Sequence, residues 1–112
     1  MAEDVGRVWV RSTLSDHRKR GFQIAITNNE LYHFYQMAMA NPCPYCGRMM
    51  KHGNGGPIES SPSLDAINPH NRVISVFNIQ IICHLCNTTK NRRSHKEFIN
   101  YCRGVIETHE DT

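Results

Sequence analysis

Two cysteine pairs, Cys43 with Cys46 and Cys83 with Cys86, each enclose two residues. That spacing lets one tight turn aim both thiolates at a single ion, and two such turns complete a tetrahedral four-sulfur zinc site. Four thiolates leave no coordination position for water, so the zinc is expected to be structural. Zinc of this kind contributes on the order of 10–16 kcal/mol in small peptides, comparable to the stability of a whole domain. A redox role would not need the motif twice, and five cysteines is an odd number for a disulfide framework. Cys102 falls on the apolar face of a C-terminal helix and reads as packing.

Two further stretches bear groups that bind cations or phosphates. They are Leu64-Asp65-Ala66-Ile67-Asn68-Pro69 and Asn78-Ile-Gln-Ile-Ile-Cys83-His-Leu-Cys86-Asn87-Thr-Thr-Lys90. Taken singly, Asp65 reads as a turn-capping carboxylate and Asn87 as a turn residue. Their placement around the second cysteine pair changes that reading. Here the chain resembles the HNH endonucleases, the ββα-metal or His-Me finger family, in a small phage-type form. Members commonly show an Asp-His-Ile-x-Pro strand, a middle Asn, and Cys-x-x-Cys-Asn-x-x-Lys leading into a helix, and phage cousins read Ser-Leu-Asp-Arg-Ile at the first position. The resemblance spans about Thr27 to Phe98.

The resemblance implies that Asp65 binds a catalytic Mg²⁺ or Mn²⁺ through its carboxylate and that Asn87 gives the same ion an amide oxygen. Water and phosphate would fill the rest of the shell. Asn78 would brace the loop between the two strands, and the zinc would rivet the second strand and the following helix to the first cysteine turn. In most relatives a histidine general base follows the aspartate; here that position is Ala66, whose methyl group can take no proton. General-base help is worth roughly 10²–10⁴-fold, so a weak or silent catalyst is expected as the chain stands. Two explanations are open. The favoured one is a deliberate replacement of His or Arg at position 66; the other is a natural departure with His70 or His84 as the base.

The elements that must position these groups are legible in part. Arg11 to Gly21 reads as a short basic helix and FQIAI as a short strand. Thr27-Asn-Asn-Glu30 is a capping box opening a helix with Leu31, Phe34, Tyr35 and Ala38 on one face, ended by Asn41-Pro42. Lys51 to Ser63 reads as a glycine-rich loop or at most a loose hairpin, Ser63–Ile67 and Ile79–Cys83 are expected strands, and 68–78 is expected as a loop between them. Ser94-His-Lys-Glu97 is a second capping box, with Phe98, Cys102, Val105 and Ile106 on one helix face. Met37, Met39, Met49 and Met50 read as packing residues, and Tyr32, Tyr35 and Tyr45 as core or rim. These elements give an α+β class, and the resemblance implies a ββα-metal finger around a four-cysteine zinc site, flanked by N- and C-terminal helices. Residues 1–26 are expected to form a basic N-terminal segment and 27–112 a zinc-stapled HNH nuclease domain, one compact unit overall.

The net charge of +3 hides an uneven distribution. From Arg7 to Lys96 twelve Lys and Arg face only Asp16, Glu30, Glu59 and Asp65, a local excess of +8. Such an excess fits a polyanionic partner. If that partner is DNA, the phosphate contacts expected are Arg11, Arg18, Lys19, Arg20, Lys90, Arg92 and Arg93. No apolar run approaches a membrane span, the opening MAEDVGRVWVRS does not read as a secretory signal, and Gly53 to Gly56 lacks the Lys-Ser/Thr of a phosphate-binding loop. The chain is expected in the cytoplasm of a bacterial or phage-infected cell. One such site makes one cut, so a double-strand break needs two visits or a homodimer, for which the last helix offers a surface. The alternative function is a zinc-dependent nucleic-acid-binding module that never cleaves; a protein-interaction zinc domain fits the positive middle of the chain less well.

Overall fold

The computed structural model describes residues 4–110; residues 1–3 and 111–112, the ends of the two segments set out above, lie outside the described residues. In chain order the elements are α1 (Val5–Lys19), β1 (Gln23–Ile24), α2 (Asn28–Met39), β2 (Pro62–Ala66), β3 (Val73–Ile74), β4 (Ile79–Cys83), α3 (His84–Lys90) and α4 (His95–Thr108). The architecture is mixed, with helices around two small two-stranded sheets. No helix among the described residues is long and apolar enough to cross a membrane.

The first helix starts six residues before the expected Arg11. Asp4 Oδ1 caps it, accepting from the backbone N–H of Gly6 and Arg7 at 2.8 and 3.2 Å. Its buried stripe is Gly6, Val10, Leu14 and His17, spaced at one helical turn. Two of those four residue types do not read as apolar, which is why the pattern is faint in sequence. Gly6 is required by proximity: a Cβ there would stand 2.5 Å from the Tyr35 ring of α2. The basic segment is thus built into the body, and Trp9 Nε1 also donates to the Pro62 carbonyl of β2 at 3.1 Å.

The expected strand FQIAI shortens to β1, which pairs in parallel with β3. Gln23 N donates to Arg72 O and Ala25 N to Ile74 O, both at 2.8 Å. Segment 68–78 is therefore not wholly irregular, because its middle is held by this pairing. Thr27 and Ser94 both form complete capping boxes, with Glu30 and Glu97 reaching back to the cap amides. β2 and β4 are antiparallel in the register Pro62↔Cys83, Leu64↔Ile81, Asp65↔Gln80 and Ala66↔Ile79. Helix α3 follows β4 without a linker.

Val10, Leu31, Ile74 and Ile82 are at most 1% exposed and form the centre of the core. Met50 is buried, but Met37 and Met49 are more than half exposed, so the expectation that all four methionines pack internally is corrected. α4 also departs from its apolar pattern. It buries only Phe98, leaves Cys102 half-buried, and exposes Tyr101, Val105 and Ile106. Such a helix relies on its cap. Ser94→Ala should cost α4 about 1 kcal/mol. Amide exchange should then speed about fivefold within α4 while β4 amides, which open only with the core, keep their rates. Equal acceleration in both elements would contradict this division.

Candidate functional site

The site has two ends, joined by the β2–β4 pair and α3. At one end stand the four cysteines. The first turn, Cys43 to Gly47, closes by Gly47 N donating to Cys43 O at 2.9 Å, and Gly47 sits at φ +79°, a conformation that favours glycine. The second turn begins at Cys83, the last residue of β4 and the N-cap of α3, whose Sγ accepts from Cys86 N at 3.4 Å. Cys83 N in turn donates to Cys43 Sγ at 3.4 Å.

All four sulfurs lie within 4.8 Å of one another, and Cys46 Sγ to Cys83 Sγ is 3.6 Å. Tetrahedral Zn–S bonds of roughly 2.3 Å place sulfurs about 3.8 Å apart, so the cluster fits a metal ion such as zinc. A disulfide would need about 2.05 Å. The backbone N–H of Arg48 holds the Cys46 thiol down to about 7, whereas burial pushes Cys83 and Cys86 up. A bound cation would favour all four thiolates together, which links metal uptake to proton release. Cys102 is not part of this group.

At the other end, Asp65, Ala66, Asn87, His17, His70, Arg20, Arg72 and Arg92 are among the residues lining one cleft of about 950 Å³. Asp65 is 4% exposed. Its Oδ2 accepts from Gln80 Nε2 at 2.9 Å, and Lys90 Nζ lies 3.1 Å from Oδ1 and 3.0 Å from Oδ2. Burial raises the Asp65 carboxyl above its usual value, opposed by the hydrogen bonds from Gln80 and Lys90. Lys90 is wholly buried and also donates to Ala66 O at 3.0 Å. It cannot touch a phosphate, so its expected DNA contact is corrected: its partner is the aspartate. Asn87 Nδ2 donates to Ser63 Oγ, which leaves its amide oxygen as the group a cation can use.

Asn78 is 5% exposed, accepts from Asn68 N at 2.9 Å, and has Nδ2 3.1, 3.2 and 3.2 Å from the carbonyls of Asn68, Asn71 and Val73. It ties both ends of segment 68–78 together. His70 is exposed and leans on Glu97, Nε2 to Oε1 3.1 Å. The Ser94 backbone N–H, with help from His70, holds the Glu97 carboxyl at about 2. His84 lines an adjoining groove with Lys19; that groove shares His17, Arg20 and Asn87 with the cleft holding Asp65, whose own lining does not include His84. Arg18 and Lys19 stand exposed in the last turn of α1, and Arg11 is exposed earlier on the same helix. Arg93 lies over the Tyr101 ring at 4.5 Å and donates to Thr89 O at 3.3 Å.

Two cleft residues with charged or titratable side chains were not anticipated. Arg72 donates to Arg20 O at 2.6 Å and lies 3.7 Å over the Phe22 ring. His17 is 6% exposed, and its type within the buried stripe of α1 was the one available signal.

Two outcomes test this arrangement. Cys86→Ser, or treatment with a strong chelator, should release about one zinc per chain and remove most of the folding stability, as read by metal analysis and thermal melting. Lys90→Met should cost about 3–5 kcal/mol in denaturant titration, because it strands a buried carboxylate. Adding Asp65→Asn should recover most of that loss. No protein-family model, curated protein or solved structure matches this chain.

Proposed function

We propose that the chain is a metal-dependent DNA endonuclease of the HNH type, with β2, β4 and α3 as its ββα-metal finger. One observation carries the reading. Asp65 on β2 and Asn87 on α3, 22 positions apart, line the same cleft, and Arg20, Arg72 and Arg92 line it with them. A plain zinc ribbon has no need of a carboxylate and an amide lining one cleft beside arginines.

The donor set fits Mg²⁺ or Mn²⁺, which bind through few protein oxygens and keep water and phosphate in the shell. When bound, such an ion polarises the phosphoryl oxygen and stabilises charge on the leaving oxygen. The chain's own residues do the rest. Lys90 and Gln80 lock the Asp65 rotamer, and the bond to Ser63 orients the Asn87 amide. The arginines would draw the phosphodiester into the cleft. Because Lys90 already balances the Asp65 charge, the protein offers a cation little net attraction, and the substrate phosphate has to supply the remainder.

The second reading, a zinc-dependent nucleic-acid-binding module, draws on two observations: that same neutralised carboxylate, and Ala66 at the general-base position. Nicking of supercoiled plasmid separates the two. Cleavage should require added Mg²⁺ or Mn²⁺, Asn87→Ala and Asp65→Ala should each suppress it, and Ala66→His should raise it by up to about 10²–10⁴-fold. If neither the chain nor Ala66→His nicks DNA while both bind it, the module reading replaces the enzyme. In either case affinity should fall about 10²–10³-fold between 50 and 200 mM salt for roughly five phosphate contacts.

A further inference from the structure

We infer that His17, contributed by α1, is the proton acceptor of this cleft and stands in for the side chain that Ala66 lacks. The inference rests on the nuclease reading above and adds a residue to it.

His17 lines the cleft that holds Asp65, Ala66 and Asn87, and the last turn of α1 reaches it there. Its two ring nitrogens have partners that define the tautomer. Nδ1 is 2.9 Å from the Thr13 carbonyl, a pure acceptor, so Nδ1 carries the hydrogen. Nε2 is 2.8 Å from Arg20 Nη2, a pure donor, so Nε2 presents its lone pair. This is the tautomer a general base needs, with one nitrogen anchored by a backbone oxygen and the other carrying an unprotonated lone pair, here covered by Arg20. The ring is also held in place by Phe22, with centroids 5.4 Å apart.

The electrostatic surroundings agree. Burial lowers the basicity of His17 below the ordinary imidazole value, and the Arg20 charge acts in the same direction. The Thr13 carbonyl and the charges of Asp16 and Asp65 oppose that shift. His70, Arg72 and Arg92 complete the charged or titratable groups around the cleft. An acceptor at Nδ1 and a donor at Nε2 are the partners of a neutral imidazole. Of the two histidines considered from the sequence, His70 is exposed and engaged by Glu97; His84 lies in an adjoining groove that His17, Arg20 and Asn87 also line, but unlike His17 it does not line the cleft with Asp65 and Ala66.

Arg20 gives the device a guard. Its guanidinium occupies Nε2 until a phosphate competes for it. Arg20 then turns to the phosphate and uncovers the lone pair. A water molecule transfers a proton to Nε2 as its oxygen bonds to phosphorus. The bond from phosphorus to the departing sugar oxygen breaks with its electron pair, and that oxygen takes a proton from solvent. The products are a phosphomonoester and an alcohol, and the imidazolium returns its proton to water.

The experiment compares the unaltered zinc-loaded chain, His17→Gln and Ala66→His in plasmid nicking with Mg²⁺, alongside ¹⁵N NMR of the His17 ring without Mg²⁺. Glutamine keeps a donor for the Thr13 carbonyl but takes no proton. The expected result is a loss of about 10²-fold or more in His17→Gln, with zinc content, melting temperature and DNA affinity retained. The ring should show an unprotonated Nε2 at pH 7. Nicking within about threefold of the unaltered chain, or a protonated Nε2 at pH 7, overturns the inference. A silent unaltered chain with an active Ala66→His overturns it while leaving the nuclease reading intact; silence of both removes the two together. Should His17→Gln unfold, the unaltered chain still decides: the acid limb of its nicking rate must coincide with the NMR titration of this ring, and a limb that does not follow the ring rejects it.

Discussion

Cys83 joins the molecule at one residue. It ends β4, caps α3 through its sulfur, belongs to the sulfur cluster, and donates its own amide to Cys43. An ordinary cap satisfies one or two orphan amides and contributes about 1 kcal/mol. Here the cap is also a candidate metal ligand, so an ion in the cluster would constrain the strand-to-helix junction far more strongly than a hydroxyl does. Asn87 follows four residues later, one helical turn along α3. The direction in which its amide points is set by the angle at which α3 leaves β4, and the cluster governs that angle. A short helix of seven residues has little stability of its own. The sulfur site makes it a usable arm.

The Asp65–Lys90 pair governs the other end. Removing two charges from water costs several kcal/mol per ion, and the attraction between them seldom returns more than that loss. A fully buried lysine is accordingly a poor device for stability alone. What it provides is geometry. One ammonium touches both oxygens of Asp65 and the Ala66 carbonyl, binding the end of α3 to β2. With Gln80 across the strand pair, it leaves the carboxylate a single orientation. The cleft therefore has a rigid floor, while its rim is made of arginines on α1's exit turn, on the β3 loop and beyond α3.

Local, strongly patterned features were legible in the sequence. The paired cysteines, the two capping boxes and the strands β2 and β4 each announce themselves within a few residues. What escaped depended on distant partners. Lys90 carries a residue type that belongs on surfaces, and only an aspartate 25 positions away draws it inside. The β1–β3 pairing is two residues long and joins segments 50 positions apart, too short to leave a periodic signal. The start of α1 was obscured because Gly6 and His17 occupy half of its buried stripe. α4 failed in the opposite way: its apolar pattern is clear, but among the described residues nothing covers most of that face.

The place of the N-terminal segment bears most on function. Read by charge, it is a basic stretch within one compact unit. In the fold its described residues include part of the cleft wall, through His17, Arg20 and Phe22. Gly6 permits α1 to press on Tyr35, Trp9 anchors it to the start of β2, and the β1–β3 pair fixes the chain just after its end. Arg72 completes that attachment by bonding the Arg20 carbonyl and covering Phe22. Each contact limits how far the last turn of α1 can move from Asp65, although none of them performs chemistry. A histidine at a wandering terminus would be an unremarkable surface group. Held by three separate attachments beside a carboxylate and an amide, it becomes part of the same site as residues 48 to 70 positions away.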